Sequence, residues 1–215
     1  IVGAPQDNVG TGAAWVWTRS GGSWSQQGTK LVGTGVTGLY APAQGYSVAL
    51  SSDGNTALVG GIWDDGGAGA AWVWTRSGGV WSQQGPKLVG AGAVGKSWQG
   101  YSVSLSADGN TAIVGGAQDN GYAGAAWIWT RSGGVWTQQG AKLVGSGAVA
   151  PSWQGRSVAL SADGATAMVG ATADNNQIGA AWVWTRSGTV WTQQGPKLVG
   201  SGVAGSIAWQ GTDVS

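Results

Sequence analysis

The sequence predicts an all-β fold made of four similar units, and three observations carry this prediction. A tryptophan-rich segment, Ala125–Arg131 in its third copy, occurs four times, and its first tryptophan lies at Trp15, Trp72, Trp127 and Trp182. The spacing of 57, 55 and 55 residues is typical of a repeat architecture. The 43 glycines recur at matching places in each copy, which indicates many tight turns. Between the turns lie short segments rich in β-branched and aromatic residues, as expected of strands.

One complete unit shows how the strands follow each other. Side chains alternate along its first segment, and an Asp-Gly pair, Asp108–Gly109, then favours a tight hairpin. Further turns separate two more strand segments. The predicted strands of this unit are Tyr101–Leu105, Thr111–Gly115, Gly124–Thr130 and Val135–Val144. Four antiparallel strands joined by short turns, repeated about every 55 residues, match the blade of a β-propeller.

We expect a single β-propeller domain over residues 1–215, with units at approximately 1–42, 43–97, 98–152 and 153–208. Ile1–Gly3 aligns with a second strand, and Trp209–Ser215 aligns with a first strand. Residues 209–215 are therefore predicted to complete the first blade, so that the C-terminal strand pairs with the N-terminal blade and closes a ring. Two alternatives stay open: a segment of a longer array, or two chains that together supply eight blades.

Composition restricts the function. The chain has 10 basic and 9 acidic residues, and the net charge of +1 gives no electrostatic reason to expect nucleic acid as a partner. No apolar run is long enough to insert into a membrane. Cysteine and histidine are absent, and all acidic residues are aspartates scattered through the repeats. Because catalysis usually needs one asymmetric cluster with a plausible base, the sequence predicts a protein that is not an enzyme.

Several segments resemble a known repeat. The run Gly45–Gly61, followed by Gly69–Arg76, resembles the bacterial FG-GAP repeat, and Gly3–Pro5 spells Gly-Ala-Pro itself. Gln-Gly pairs stand where the family has Phe-Gly, at residues 44–45, 99–100, 154–155 and 210–211. The resemblance covers almost the whole chain. It implies a β-propeller, usually of seven blades, in secreted or cell-surface proteins of recognition and adhesion, such as the head of integrin α chains.

The tryptophans fall into two groups. Trp127 and Trp129 are two residues apart on one strand, so they share a face, and such pairs are expected to fill the space between blades. Other tryptophans lie in predicted loops, where an indole ring can serve as a platform for a sugar. These candidate ligand-binding residues are Trp63, Trp98, Trp153 and Trp209.

Short polar loops recur once in each unit. Their aspartate and asparagine side chains suit turns that bond their own backbone, and they also suit a repeated ligand site on one face. The candidate ligand residues are Asp7, Asn8, Asp119, Asn120, Asp174 and Asn175. The second unit has two carboxylates, Asp64 and Asp65, which are the best candidates for a cation.

Calcium is considered at a second place, since related integrin-type blades often have an Asp-x-Asp-x-Asp-Gly loop between the first two strands. Here that loop has one carboxylate per unit, at Asp53, Asp108 and Asp163. Calcium takes six to eight oxygen ligands. No cofactor is therefore predicted, and these aspartates are expected to form hairpin turns.

The sequence predicts a non-enzymatic, extracellular or cell-surface β-propeller for recognition or adhesion, with a glycan or a protein surface as its ligand. Two alternatives remain. The near-identity of the units favours a structural subunit of an extracellular fibre or sheath, which would self-associate through its terminal strands. Repeated aromatic loops favour a multivalent carbohydrate-binding lectin, in which weak identical sites add by avidity.

Overall fold

A computed structural model describes residues 1–203 and 207–215, and within them sixteen strands form five antiparallel sheets. The strands of the first two units are β1 (Val2–Ala4), β2 (Ala13–Trp15), β3 (Trp17–Ser20), β4 (Ser23–Gln26), β5 (Gln44–Leu50), β6 (Thr56–Gly61), β7 (Ala70–Ser77) and β8 (Val80–Gln83). Those of the last two are β9 (Gln99–Leu105), β10 (Thr111–Gly116), β11 (Ala125–Ser132), β12 (Val135–Gln138), β13 (Gln154–Leu160), β14 (Thr166–Ala171), β15 (Ala180–Ser187) and β16 (Val190–Gln193).

The strands of the second, third and fourth units each form one four-stranded sheet in sequence order, which confirms the predicted antiparallel blades. In the first unit β1 pairs with β2, and β3 pairs with β4, as two separate two-stranded sheets. A short helical turn joins the second and third strands of every unit: Asp7–Gly10, Asp64–Gly67, Asp119–Tyr122 and Asp174–Gln177. We call these four segments the corner turns. No helix in the described ranges has the length and apolarity to cross a membrane.

The Asp-Gly pairs form the hairpins that the sequence predicts. Asp108 accepts a hydrogen bond from the Ser106 hydroxyl at 2.6 Å and another from the Asn110 backbone N–H at 2.9 Å. The Ser106 bond is the main reason that the pKa of Asp108 lies below its ordinary value. The same hydroxyl accepts from the Thr111 N–H. The carboxylate therefore serves the turn between β9 and β10.

The core lies between neighbouring blades and is built around the first tryptophan of each pair. Trp72, Trp127 and Trp182 are completely buried. A buried aromatic side chain removes roughly 150–250 Å² from water, which at about 25 cal/mol per Å² corresponds to several kcal/mol. The indole lies so close to the preceding blade that a Cβ added at Gly90 would stand 2.1 Å from the Trp127 ring. Glycine at this position is what allows the blades to approach.

Several strand boundaries differ from the prediction, and two of these differences have a clear structural cause. The first strand of the third unit begins at Gln99, before a bulge in the register of β9 with β10. The fourth strand ends at Gln138, because Gly140 adopts a φ of 73° that turns the chain out of the sheet. The chain then returns, and Leu143 exchanges two backbone hydrogen bonds with Ala126, at 2.7 and 3.1 Å. The predicted strand Val135–Val144 is therefore a short strand followed by a separate bridge.

The predicted ring closure is wrong. In the described residues β1 pairs with β2 alone, and residues 209–215 do not reach the first blade's sheet. Instead Gln210 forms a parallel bridge with Gly179, as Gln154 does with Gly124 one unit earlier. The segment thus occupies the place beside the fourth blade that the first strand of a following unit would take. Sequence alignment identifies it as a first strand, but blade packing decides which blade lies next to it.

Candidate ligand-binding face

The corner turns bring most of the predicted site residues to one face of the protein. Each turn contains two consecutive residues in the left-handed backbone region, beginning with Asn8, Asp65, Asn120 and Asn175, whose φ values are 49°, 50°, 50° and 50°. Asparagine and aspartate tolerate this conformation better than most residues. These four side chains are exposed, whereas the aspartate that precedes three of them is buried.

The buried aspartates are fully used by the protein itself. Asp119 accepts a hydrogen bond from the Val94 N–H at 2.7 Å and forms an ion pair with Lys142 at 2.5 Å. Asp174 makes the same pair of contacts with Val149 and Lys197. Asp7 is more exposed and pairs with Lys30. Asp7, Asp119 and Asp174 therefore support the fold of the corner turns, and a ligand-binding role for them stays a prediction.

The geometry of the second unit does not favour the proposed cation position. Asp64 is buried, and its two carboxylate oxygens face Lys87 and the Thr37 N–H. Asp65 is exposed and lies in the left-handed part of the turn. Over the described ranges, no group of three or more acidic side chains gathers at one point. An ion at Asp64 would have to displace the lysine that already neutralises it.

Three of the predicted loop tryptophans have a strained backbone. Trp98, Trp153 and Trp209 have φ values of 55°, 63° and 52°, and Ala43 has 56° at the same position of the second unit. A bulky residue is rarely found in this region. The backbone N–H groups fix the conformation, since Trp153 donates to the Tyr122 carbonyl at 2.9 Å and Trp209 donates to the Gln177 carbonyl at 2.9 Å. In this conformation the indoles lie against the corner turn of the preceding unit: Trp153 stacks on Tyr122, with ring centroids 5.5 Å apart, and Trp209 donates a hydrogen bond to Gln177.

Trp153 and Trp209 line one cavity of about 530 Å³. It lies between the corner turn of the fourth unit and the segment that follows that unit. The other residues of its wall are Pro151, Arg156, Thr172, Ala173, Asn176, Gln177 and Thr212. Trp209 is 55% exposed, and its Nε1 donates to the Gln177 side-chain oxygen at 3.0 Å. The cavity therefore combines two indoles with amide, guanidinium and hydroxyl groups, a combination typical of ligand pockets.

A second cavity, of about 410 Å³, occupies the equivalent place in the second unit, where Trp63 and Tyr40 form part of its wall. Trp63 stands where the fourth unit has Ala173, and Ala43 stands where the fourth unit has Trp153. The Trp63 ring meets the Trp98 ring edge-on, with centroids 5.2 Å apart. Trp98 in turn stacks on Tyr101 at 6.3 Å. The predicted tryptophans are thus divided between two places on the face.

A row of first-strand side chains continues this face from blade to blade. Tyr46 and Tyr101 contact each other with ring centroids 5.1 Å apart, and Arg156 follows at the next equivalent position. Its guanidinium donates to the Tyr101 hydroxyl at 2.8 Å and lies over the Trp153 ring at 5.7 Å. Burial, followed by the hydrogen bond with Tyr101, raises the pKa of Tyr46 to about 12. The Arg156 side chain is therefore oriented by two aromatic rings.

Sequence reasoning missed Arg156, Asn176 and Gln177, although all three border the larger cavity. A signal was present for Arg156. It interrupts a series in which the other units have Tyr46, Tyr101 and Thr212, so it marks one blade as different from the rest. Asn176 and Gln177 lie in the corner turn beyond the Asp-Asn pair, where the other units have mostly glycine. Their role depends on the position of Trp209.

No protein-family model matches the chain, and no curated protein matches it. Among solved structures it is similar to a candidate 6-phosphogluconolactonase from Bacteroides uniformis, with 11% identity, a TM-score of 0.55 and coverage of 93% of this chain and 49% of that one. It is also similar to Sqt1 from Saccharomyces cerevisiae, with 14% identity, a TM-score of 0.45 and coverage of 77% and 36%. The chain spans about half the length of the first of these structures. That likeness concerns the fold alone and agrees with an all-β, propeller-like repeat architecture.

Proposed function

We propose that this protein is a non-catalytic recognition module that binds a saccharide in the cavity between Trp153 and Trp209. This cavity is the observation that carries the proposal, because it is larger than the cavity beside Trp63 and has two indoles in its wall. An apolar ring face binds the C–H face of a sugar, and the indole can do so without losing much side-chain freedom. Arg156, Asn176 and Gln177 supply planar donors and acceptors for sugar hydroxyls.

The cell-surface role in recognition or adhesion is part of the same proposal. Its support is the resemblance of Gly45–Gly61 and Gly69–Arg76 to the FG-GAP repeat, whose members are found in secreted and surface proteins. A second, smaller cavity of about 410 Å³ lies beside Trp63. Two similar sites on one face are suited to a ligand that displays repeated sugars, since weak contacts add when they are linked.

The larger cavity does not supply the groups for acid–base chemistry. In the described part of its wall, Arg156 is the one charged side chain, and an arginine guanidinium does not act as a base near neutral pH. Asp119 and Asp174, the first residues of the third and fourth corner turns, form ion pairs with lysines. The lactonase name belongs to the Bacteroides uniformis protein. For this chain we expect that hydrolysis of 6-phosphogluconolactone proceeds no faster than in buffer alone.

The test begins with a glycan array and continues with calorimetric titration of the best hit. We expect Trp153→Ala and Trp209→Ala each to weaken binding at least about tenfold, which corresponds to about 1.4 kcal/mol. Trp63→Ala separates the two cavities, because it removes a ring from the smaller one and leaves the larger one intact. Val80→Ala, at an exposed position of the second unit's outer hairpin, serves as the control.

Two results would contradict the proposal. The first is an array without any saccharide hit, combined with tryptophan fluorescence that sugars leave unchanged. The second is a hit whose affinity is the same in Trp153→Ala, Trp209→Ala and the Val80→Ala control. If a protein ligand binds instead, and binds more weakly to the two tryptophan variants, the recognition role stands but the ligand is a protein surface rather than a saccharide.

A further inference from the structure

Adjacent units meet through one repeated set of contacts, which we call the blade joint. The first indole of a unit donates its Nε1 hydrogen to a backbone carbonyl of the preceding unit. The three pairs are Trp72 with Thr34, Trp127 with Ala91 and Trp182 with Ser146, each at 2.8 Å. In return a glutamine of the later unit accepts from the N–H of the same residue, as Gln138 does from Ala91 at 2.7 Å. The joint is thus reciprocal and polar at its rim.

A second glutamine completes the joint from the preceding unit. The side-chain oxygen of Gln84 accepts hydrogen bonds from Arg131 and from the Trp136 indole, both at 3.0 Å. Gln27 accepts from the equivalent Arg76 and Trp81. The leucine of the same segment is buried under the next blade, as Leu88 is in the cluster that contains Trp127. Each unit therefore has a leading face, which gives the tryptophans, and a trailing face, which receives them.

One leading face and one trailing face are uncovered in the described structure. The first unit's leading face consists of Trp15, Trp17, Arg19 and Trp24, and the fourth unit's trailing face consists of Gln194, Leu198 and Gly200. Trp17 is 41% exposed, whereas its equivalents in the other units are 8–9% exposed. Leu198 is 51% exposed, whereas Leu31, Leu88 and Leu143 are 3–5% exposed. Both faces therefore have the residues of a blade joint, but no neighbouring unit covers them in the described structure.

The exposed edge of β1 and the C-terminal residues 209–215 are complementary in the same way. Val2 on β1 is 56% exposed, although its equivalents Val59, Val114 and Val169 are at most 1% exposed. At the other end, residues 209–215 already lie against the fourth blade. A Cβ added at Gly170 would stand 2.2 Å from the Gly211 carbonyl oxygen, which matches the approach of Gly115 to Gly155 at 2.1 Å. Residues 209–215 thus lie where they could serve as the first strand of a blade whose second strand is β1.

We propose that this chain joins head to tail with a second copy of itself through a further blade joint. The trailing face of one copy covers Trp15 and Trp17 of the next, and residues 210–214 add as a first strand to β1. Within a blade Val48 pairs with Val59, Ser47 with Gly60 and Gln44 with Gly61. The same register places Val214 opposite Val2, Asp213 opposite Gly3 and Gln210 opposite Ala4 of the partner.

The sequence supports this occupant over an unrelated protein. All four units contain the trailing motif Gln-Gln-Gly-x-Lys-Leu-Val-Gly, and all four contain the leading motif Trp-x-Trp-Thr-Arg. A second copy therefore offers the same chemistry that three joints already use within one chain. An interface of this kind is heterologous, so it forms a ring where the rotation closes and a filament where it does not. Ring and filament use the same joint.

The first experiment measures the solution mass of the 215-residue chain across a dilution series. We expect multiples of the 21.4 kDa chain, and we expect Leu198→Asp to reduce the assembly to single chains, since it places a charge in the joint. Leu39→Asp is the matched control, because Leu39 is exposed and outside both faces. A single-chain mass for the unchanged protein at every concentration would overturn the proposal and leave the faces to another occupant.

The second experiment tests the predicted contact between residues 2 and 214 of two copies. Because the chain contains no cysteine, no native thiol can form a competing disulfide. Val2→Cys and Val214→Cys are prepared as separate proteins, mixed and oxidised. We expect a disulfide-linked pair in the mixture, because residues opposite each other in a sheet are close enough for such a bond. The two variants oxidised separately should cross-link far less. A double variant that cross-links only within one chain would show ring closure inside a single molecule and contradict the head-to-tail joint.

Discussion

Trp127 and Trp153 are the same residue type in neighbouring units, yet they serve different parts of the protein. Trp127 lies in the extended strand β11, is fully buried and bonds to Ala91 of the preceding unit. Trp153 lies before a strand, has a φ of 63° and lines an open cavity. In this pair, backbone conformation rather than residue type separates the tryptophan of the core from that of the candidate binding face.

The largest expected effect is on the core side of this comparison. Trp127→Ala removes a buried indole, leaves a cavity and deprives the Ala91 carbonyl of its donor. We expect it to lower the free energy of unfolding by about 3–5 kcal/mol, measured by urea denaturation. If Trp209→Ala cost as much, the distinction between core and face tryptophans would be lost.

The ion pairs of the four corner turns on the candidate ligand-binding face should contribute unequally to stability. Asp119 is buried against Lys142, whereas Asp7 and Lys30 are both partly exposed. We expect Asp119→Ala to lower the free energy of unfolding by about 3 kcal/mol, because Lys142 and the Val94 N–H lose their partner. Asp7→Ala should cost about 1 kcal/mol or less.

Salt concentration sharpens this comparison. Screening weakens exposed ion pairs more than buried ones, so the cost of Asp7→Ala should shrink in high salt while that of Asp119→Ala should persist. Equal costs at both positions, in low and in high salt, would contradict the assignment of Asp119 as a buried support of its turn.

A smaller effect is expected on the face side. Trp209 is more than half exposed and has a left-handed backbone, a conformation that costs a non-glycine residue about 1–2 kcal/mol. Trp209→Gly relieves this cost and loses little burial. We expect the free energy of unfolding to change by less than about 1 kcal/mol, while saccharide binding is lost. Stability is measured by urea denaturation and binding by calorimetry. Trp209→Asn is the control, because asparagine also tolerates the left-handed backbone conformation but has no indole ring.

The smallest effect concerns the row of first-strand side chains. The pKa of Tyr46 is raised to about 12, mainly by burial, so the folded state favours the neutral phenol. The stability linked to this group is present below pH 10 and is lost as the pH rises toward 12. Tyr46→Phe should therefore show a shallower fall in thermal stability between pH 10 and 12 than the unchanged protein. Parallel curves for the two proteins would contradict the shift.

Much of the fold can be predicted from the sequence because its determinants are local. The strand Thr111–Gly115 is observed as Thr111–Gly116, and Asp108–Gly109 forms the expected hairpin. The ring closure cannot be predicted in this way, since the alignment of Trp209–Ser215 with a first strand does not determine its neighbour. That neighbour is fixed by the approach of Gly211 to Gly170, a contact between distant segments.

The candidate site can be predicted only in part, because some of its contacts also join segments that are distant in the sequence. Trp153 and Trp209 follow from a repeated loop position, and both line the larger cavity. The lysine partners of the aspartates are harder to predict, because they lie 23 residues further along the chain, as Lys142 does from Asp119. One lysine per unit at that constant distance is the signal that identifies an internal pair.

The reciprocal hydrogen bonds of the blade joint have a consequence for how such a protein can change over time. Because each unit presents the same donor indole on one side and the same acceptor carbonyl on the other, a duplicated gene segment of one unit would encode a module that fits at any junction. Growth or shortening by whole modules then requires no compensating substitutions, so module number can vary while the local chemistry of each contact is inherited unchanged.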